Sequence, residues 1–313
     1  MTNEIKKIRV AFFGSSEFSV PTLKYLLLAK EIDVISVITL PPAEKNRGKK
    51  LSNNVVYDFA IQNGVDGNCI FTPKKLKNNN EILSVLKEQD LDFIVVVSYG
   101  KIIPKEIIDL PNFEILNLHP SRLPKYRGAA PIERAIEAGE KEIDICIMKV
   151  DVGLDTGDVA KRLPYSLVST STARDIVPEI AEIGGKLMVD IIKQCFEKNI
   201  IFIPQSNEGM IYAKKIEKSE LFLNLEDKNL DAEQVFNKIR AFNNCGCCYF
   251  LLNNQRIKIL SCDFQKCNNT NTNLGFNKND GCLYFKNGII RPIIIQKEGK
   301  KPMTLKDFLN GLK

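Results

Sequence analysis

A single imidazole, His119, stands out among the side chains of this 313-residue sequence that could do chemistry. It follows Asn117 by two positions at the end of a β-branched run that predicts a strand. Side chains two positions apart on a strand point to the same side, so the amide and the imidazole are expected to converge. An amide N–H can donate to a developing oxyanion, and an imidazole can accept or donate a proton. The residues alone leave a purely structural role for His119 open.

A second polar segment, residues 148–158, reads M-K-V-D-V-G-L-D-T-G-D and also follows a predicted strand. Asp155 lies between Gly153 and Gly157, in a turn that can bring its carboxylate close to His119. A carboxylate beside an imidazole favours the imidazolium and orders water. Asp151 and Asp158 also fit ordinary turns in which an aspartate bonds its own backbone.

The elements that position these residues alternate between β-branched runs and helical periodicity, which is typical of an α/β fold. The predicted strands are 8–13, 33–39, 93–98, 115–119 and 145–150, and helical spacing occurs at 21–29, 80–88 and 132–138. We predict a Rossmann-like, doubly wound, mostly parallel sheet, whose ligands bind beyond the carboxyl ends of the strands. The turn after the first strand has only Gly14, so the G-x-G-x-x-G fingerprint of dinucleotide-binding enzymes is absent.

The last third of the chain differs in charge and in texture. The chain holds 44 Lys and Arg against 38 Asp and Glu, a net +6, but residues 211–313 alone hold 17 against 10, a net +7. A predicted helix at 232–242 precedes short strands at 249–252, 257–260, 283–285 and 289–296. Short strands at this spacing predict a small β-barrel similar to the oligonucleotide-binding (OB) type. We predict one domain at residues 1–206 and a second at 207–313.

Several classes of protein are excluded. No apolar run reaches the roughly 18 to 20 residues of a membrane-spanning helix, and no signal-peptide pattern opens the chain, so a cytoplasmic location is expected. A single histidine excludes H-E-x-x-H zinc sites. The nine cysteines are expected to be reduced thiols. The cluster Cys245, Cys247 and Cys248 lacks the C-x2-C knuckle of zinc sites, so no metal site is predicted, and the sequence leaves open whether the cluster is redox-active or metal-binding.

Residues 117–132, N-L-H-P-S-R-L-P-K-Y-R-G-A-A-P-I, and the later G-L-D-T-G-D resemble the folate-dependent formyltransferases, most closely the methionyl-tRNA formyltransferases. Asn117, His119 and Asp155 fall on the three catalytic positions of that family. The S-x-L-P stretch matches its folate-contacting loop, with Arg122 where leucine is usual, and residues 98–104 match its Y-G-x-I-L-P segment. The resemblance assigns folate binding to Ser121, Arg122, Leu123, Pro124, Tyr99, Gly100 and Ile103.

The resemblance covers essentially the full length. Residues 47–51 are similar to the family's basic loop R-G-K-K-L, and residues 296–303 to its Q-x-x-G-K-K-x-M signature. Residues 243–249, N-N-C-G-C-C-Y, and 40–43, L-P-P-A, depart from the family pattern. Phosphate backbones attract Lys and Arg side chains. The resemblance therefore assigns tRNA binding to Arg47, Lys49, Lys50, Lys300 and Lys301.

The resemblance implies transfer of the formyl group of 10-formyltetrahydrofolate, a co-substrate, to the α-amino group of initiator methionyl-tRNA, by a monomer that needs no metal. Asn117 and protonated His119 would stabilise the oxyanion, and Asp155 would hold the imidazolium and an ordered water. Two alternatives stay open: a formyltransferase acting on a small amine such as an amino-sugar nucleotide, and a non-catalytic RNA-binding protein. The basic loop and basic last third argue against the first, and the intact trio argues against the second.

Overall fold

A computed structural model describes residues 6–45, 50–267 and 274–312, with only the backbone of residues 45 and 50. The described chain forms two compact units that interleave along the sequence. The first comprises Met1–Arg127, Asp144–Pro164 and Val177–Ile211, and the second Gly128–Ile143, Tyr165–Ile176 and Tyr212–Lys313, each within the described ranges. No described helix is long and apolar enough to span a bilayer.

The strands and helices of the described chain are numbered in sequence order. The strands are β1 (Ile8–Gly14), β2 (Ile32–Ile38), β3 (Ala43–Lys45), β4 (Lys50–Ser52), β5 (Ile70–Phe71), β6 (Phe93–Val97), β7 (Glu114–His119), β8 (Lys125–Gly128), β9 (Glu142–Lys149), β10 (Val159–Ser166), β11 (Ile211–Ala213), β12 (Tyr249–Leu252), β13 (Gln255–Lys266), β14 (Gly275–Phe276), β15 (Leu283–Phe285), β16 (Gly288–Lys297) and β17 (Met303–Thr304). The α-helices are α1 (Val20–Leu28), α2 (Val55–Gln62), α3 (Asn80–Glu88), α4 (Lys105–Ile108), α5 (Pro131–Glu137), α6 (Ala173–Phe196), α7 (Ala232–Ala241) and α8 (Leu305–Asn310).

The large sheet has the strand order β10-β9-β7-β6-β1-β2-β5. The pairs β1–β2, β2–β5, β1–β6 and β6–β7 are all parallel, and every residue of β6 is buried. Continuous burial of apolar residues is what a sheet covered on both faces requires. On one side of β1 lie β2 and then β5, and on its other side lie β6 and then β7. The order therefore reverses between β1 and β6, which is the doubly wound arrangement, and a ligand crevice is expected at the carboxyl ends of these two strands.

One strand of the sheet runs the other way. The sequence predicts a strand at 145–150, and the structure has β9 antiparallel to β7, with His119 opposite Cys146 and Leu116 opposite Lys149. The carboxyl end of β9 thus lies three residues, or about 10 Å, before the carboxyl end of β7. The loop after β9 has to return along β7 to reach His119. Hydrophobic pattern gives the existence of such a strand but not its direction.

The 24-residue helix α6 is not among the helical stretches named from the sequence, and Pro178 and two glycines lie inside it. Those glycines allow close packing: a Cβ at Gly184 would lie 2.5 Å from the side-chain methyl carbons of Leu118, and one at Gly185 3.0 Å from the backbone of Pro21. Tertiary packing therefore outweighs the low helix propensity of these residues. Leu118 lies between Asn117 and His119 in sequence and points to the opposite face of the sheet, so α6 supports β7 from behind.

The second unit contains an antiparallel sheet with the order β12-β13-β16-β15-β14, and β17 pairs with β16. Helix α7 packs against β13 and β16. Its N-terminus is capped by the Asp231 carboxylate, which accepts a hydrogen bond from the Gln234 N–H. Phe250 and Phe276 pack with ring centroids 5.0 Å apart in the core. The predicted strands 249–252 and 283–285 are confirmed, whereas β13 extends six residues beyond its predicted end because the bulged strand keeps pairing with β16.

Candidate active site around the single histidine

His119 is the last residue of β7 and is 4% exposed. Its Nε2 atom lies 3.0 Å from the backbone oxygen of Tyr126. A carbonyl oxygen can only accept, so Nε2 carries a hydrogen and donates it there. The other ring nitrogen, Nδ1, lies 3.7 Å from Oδ2 of Asp155, longer than a hydrogen bond but within range of an ion pair. One side of the imidazole is thus anchored, and the other faces a carboxylate.

Asn117 projects from the same side of β7, as its spacing from His119 predicts. It is half-buried and lies opposite Val96 of β6 and Met148 of β9. Within the residues that the structure describes, its side-chain amide makes no hydrogen bond. The N–H groups of this amide are therefore available to an oxygen of a substrate.

Asp155 reaches His119 from a turn whose backbone is held by the turn's own side chains. The Asp151 carboxylate accepts hydrogen bonds from the Gly153 N–H, at 2.8 Å, and from the Thr156 hydroxyl. This is the aspartate turn expected for Asp151. Asp155 itself has φ of +52°, in the left-handed region that L-residues seldom adopt. The turn brings the carboxylate to the imidazole, as predicted from its glycines.

Two further residues hold this site together and were missed by sequence reasoning. The Gln205 side-chain amide donates to the backbone oxygens of Asp155, at 3.0 Å, and of Gly157, at 2.6 Å. Its oxygen accepts hydrogen bonds from Nε and Nη2 of Arg127, at 3.1 and 2.8 Å. Arg127 belongs to the R-G-A-A-P motif, but the motif gives it no role of its own. No sequence signal marks Gln205, because a lone amide in a loop has no pattern of its own.

The predicted folate loop, residues 121–124, is closed by a local hydrogen bond and by contacts with β9 and β10. The Ser121 hydroxyl donates to the Lys125 carbonyl at 2.8 Å, and the buried Leu123 packs with Cys146, Met148 and Val159. Nη1 of Arg162 donates to the Leu123 carbonyl at 2.7 Å. The peptide bond between Leu123 and Pro124 is cis. The inner side chains of the loop therefore shape it rather than line an open surface.

Arg122, the departure from the family pattern, is half-exposed beside a buried acid. Its Nε lies 3.6 Å from Oδ1 of Asp144, and Nη1 of Arg162 lies 4.0 Å from the other carboxylate oxygen. Nearby, burial raises the pKa of the Cys146 thiol to about 12, and this thiol donates to the Ser121 carbonyl. The arginine in the loop thus has a structural partner that leucine would lack.

The segment after β6 is divided between core and surface. The Tyr99 and Ile103 side chains lie in the hydrophobic core, and burial raises the pKa of Tyr99 to about 12. Gly100 is exposed with φ of +77°. The Ser15 hydroxyl, after β1, donates to the carbonyls of Ser98 and Tyr99 at 2.7 and 3.0 Å, joining the loops on both sides of the topological switch point. The predicted folate contact of this segment stays a prediction.

Of the residues assigned to tRNA, Arg47 and Lys49 lie outside the described residues, and Lys50 is described by its backbone alone. Lys300 and Lys301 are exposed in the turn between β16 and β17. Their binding role stays a prediction.

The cysteine cluster is divided between exposed and buried thiols. Cys245 is exposed, while Cys247 and Cys248 are buried and donate to the carbonyls of Asn243 and Lys238. Burial raises the pKa of Cys248 to about 12. In the described parts of the chain, no group of three or more histidine, cysteine or acidic side chains could hold a metal ion.

Comparison with known proteins relates this site to one family. The family model described as formyl transferase matches residues 6–192, and that of the formyl transferase C-terminal domain matches residues 215–313. The methionyl-tRNA formyltransferase of Sulfurihydrogenibium sp. is 34% identical to this chain, and the match covers 98% of this chain and 97% of that protein.

Solved structures show the same fold at lower identity. The methionyl-tRNA formyltransferase from Clostridium thermocellum superposes with a TM-score of 0.57 at 19% identity, over 82% of this chain and 93% of that one. An N-formyltransferase from Helicobacter canadensis, in complex with folinic acid and dTDP-3-aminofucose, gives 0.65 at 17% identity, over 91% and 99%. The matches to the two family models and the 34% identity over 98% of the chain establish that the chain belongs to the formyl transferase family.

Proposed function

We propose that this chain transfers the formyl group of 10-formyltetrahydrofolate to the α-amino group of methionyl initiator tRNA. The observation that carries the proposal is the arrangement around His119: an imidazole fixed between a carbonyl and a carboxylate, with a free amide on the same side of β7. Relatives similar over the whole chain are named methionyl-tRNA formyltransferases, which supports this acceptor over others.

In the proposed reaction the neutral amine attacks the formyl carbon. A C–N bond forms to the α-amino nitrogen, the C–N bond to the folate nitrogen breaks, and one proton passes from the amine to that folate nitrogen. α-Amino groups titrate near pH 7.7 to 8.0, so deprotonating the amine is a small task. The larger demand is the negative charge that develops on the formyl oxygen.

The residues have separate roles in meeting that demand. The Asn117 amide donates to the formyl oxygen, because its N–H groups have no partner in the described chain. Nδ1 of His119 donates to the same oxygen, since Nε2 is already bound to Tyr126. Asp155, 3.7 Å from Nδ1, stabilises the protonated ring without occupying its donor, and it holds the water that carries the proton.

Folate would bind at the crevice between the loops after β1, β6 and β7. The Ser121 hydroxyl is engaged by its own loop and the Leu123 side chain packs against β9 and β10, so we propose that exposed backbone, including Gly100, supplies the hydrogen bonds. Val152 and Leu154 are 78% and 60% exposed beside Asp155, and such exposed apolar side chains suit contact with a ring of the folate. No metal is part of this proposal.

For tRNA we propose an aromatic and basic surface in the second unit. The Arg256 guanidinium lies 5.0 Å from the Tyr249 ring centroid, and the Phe222 ring centroid lies 5.6 Å from the same centroid. The Glu298 N–H donates to the Arg256 carbonyl, so the turn with Lys300 and Lys301 adjoins this cluster. Rings with cations beside them bind nucleic acid by stacking and by charge.

Other features of the proposal follow from its substrates. The antiparallel sheet of the second unit would form the OB-like barrel, with the domain division at residues 206 and 207. Because the acceptor is an aminoacylated tRNA, we propose that the reaction takes place in the cytoplasm. We propose that the chain acts as a monomer.

The decisive assay measures formylation of methionyl-tRNA by the purified chain with 10-formyltetrahydrofolate, beside dTDP-linked amino sugar as a competing acceptor. We expect activity with methionyl-tRNA alone and a loss of about 100-fold or more for His119→Ala, since a donor to the oxyanion contributes about 10²- to 10³-fold. Formylation of the sugar in place of the tRNA would refute the assigned acceptor. Full activity of His119→Ala would refute the assigned site.

The tRNA surface is tested by salt titration of binding. Removing one cation that neutralises a phosphate lowers the slope of log affinity against log salt by about 1. We expect Lys300→Ala with Lys301→Ala to reduce the slope by about 2, and Lys278→Ala, exposed in the turn between β14 and β15, to leave it unchanged. Equal slopes for the double variant and the wild type would exclude this turn from the interface.

A further inference from the structure

The two residues that face the nitrogens of His119 share an unusual backbone conformation. Tyr126, whose carbonyl accepts from Nε2, has φ of +63°, and Asp155, whose carboxylate faces Nδ1, has φ of +52°. For residues other than glycine the left-handed region costs about 1 to 2 kcal/mol. Such conformations persist only where surrounding contacts impose them. Some group must therefore hold both partners of the imidazole in place.

Gln205 is placed to do this. Its amide nitrogen donates to the carbonyls of Asp155 and Gly157, so one side chain fixes the strained residue and the end of its turn. Its oxygen accepts two hydrogen bonds from Arg127, the residue directly after Tyr126. A single amide thus joins the segment that anchors Nε2 to the turn that presents a carboxylate to Nδ1.

Arg127 gives this connection rigidity. The residue is 2% exposed, and its Nη1 has further contacts with Oδ1 of Asn207 at 3.5 Å and Sδ of Met210 at 3.3 Å. These partners are neutral. Hydrogen bonds from a cation are stronger than those between neutral groups, and leaving a buried donor unsatisfied is costly. The guanidinium therefore fixes which way the Gln205 amide points, so that its nitrogen and not its oxygen faces the turn.

We propose that Gln205, oriented by Arg127, is a positioning residue that sets the Asp155 carboxylate against Nδ1 of His119. Neither side chain contacts the formyl group in this scheme, and both act through the geometry of the imidazole. The catalytic part of the inference rests on the proposed function, whereas its structural part concerns the histidine ring alone.

The test removes the hydrogen-bond donor of the Gln205 side chain while keeping the shape of that side chain. Gln205→Glu retains an acceptor for Arg127, now as an ion pair, but a carboxylate cannot donate to the carbonyls of Asp155 and Gly157. We expect kcat for formylation to fall by about 10- to 100-fold, because a displacement near 1 Å at a reacting group can lower a rate by about 10²-fold. We expect KM for both substrates to stay within about twofold. Gln194→Glu, an exposed position in α6, is the matched control and should behave as the wild type.

A second readout needs no substrate. Because the chain has one histidine, the ring ¹⁵N resonances belong to His119 without assignment. We expect the Nδ1 shift at a fixed pH to change in Gln205→Glu and to stay unchanged in Gln194→Glu. If Gln205→Glu does not fold, Gln205→Asn replaces it: this variant keeps donor and acceptor but is one methylene too short to reach both sides. For this variant we expect the same fall in kcat and the same kind of change in the Nδ1 shift.

The outcomes separate the two proposals. A folded Gln205 variant with wild-type kcat, or with unchanged ring resonances, overturns the positioning role. A rise in KM at constant kcat overturns it as well, since that would indicate substrate binding. A wild-type chain that does not formylate methionyl-tRNA overturns the proposed function, while the ring resonances still decide the role of Gln205.

Discussion

Replacing the Asp155 carboxylate by an amide isolates its charge from its shape. Asn is among the residues that best tolerate the left-handed conformation found at this position, so Asp155→Asn should keep the turn. The carboxylate lies 3.7 Å from Nδ1, and both side chains are largely buried. At an effective dielectric constant near 20, two unit charges at this distance attract by about 4 kcal/mol. This attraction sets the scale of the stabilisation that is removed when the ring is protonated, and it corresponds to about 10³-fold in rate.

We therefore expect kcat for formylation of methionyl-tRNA to fall by about 10²- to 10³-fold in Asp155→Asn, with the KM for tRNA changed little. Single-turnover kinetics with saturating enzyme measures the chemical step directly. Asp158→Asn removes the same charge from the same loop without facing the imidazole and should stay within about twofold of the wild type. A loss below fivefold in Asp155→Asn, or equal losses in both variants, would refute the electrostatic role of Asp155.

Three further predictions concern single contacts. Asn117→Ala removes one donor to the oxyanion and should lower single-turnover kcat by about 10²- to 10³-fold, whereas a loss below tenfold would exclude that role. Gly184→Ala should destabilise the fold by about 1 to 3 kcal/mol in urea titrations because of the contact with Leu118, and Leu118→Ala in the same chain should recover part of this; additive effects would exclude the contact. The hydrogen bond from Arg134 holds the pKa of Glu220 below its ordinary value. This hydrogen bond stabilises the fold by about 1 kcal/mol at a pH above the ordinary carboxyl pKa, and the stabilisation is lost as the pH falls through the lowered pKa of Glu220. The Tm difference between wild type and Glu220→Gln should therefore vanish in acid, and a difference that stays constant with pH would contradict this.

The convergence of Asn117 and His119 could be predicted because it depends on a local property. The period of two along a strand holds whatever the strand packs against, so the identification of β7 as a strand was sufficient. The doubly wound, mostly parallel class of the sheet was also accessible, since alternation of strands and helices permits few topologies. Both inferences rest on the pattern of residue types along the chain.

The features that escaped prediction depend on contacts between distant segments. The direction of β9 is set by its pairing with β7 and leaves no trace in hydrophobic pattern. Helix α6 carries two glycines whose value appears only against Leu118 and Pro21. Gln205 acts 50 positions after Asp155, through a hydrogen bond to backbone that any neighbouring polar residue could have made. Tyr99 shows the converse, a motif residue whose side chain lies in the core.

The left-handed residues on either side of His119 have a consequence for engineering. A selection for heat tolerance would favour replacements that relax such backbone, and here the relaxed forms would release the imidazole from its two oxygen neighbours. Variants that survive heating better by changes at Tyr126 or Asp155 should turn over more slowly. Substitutions that stabilise the fold without slowing catalysis are better placed in the helices and in the second unit, because stiffening these elements does not release the imidazole.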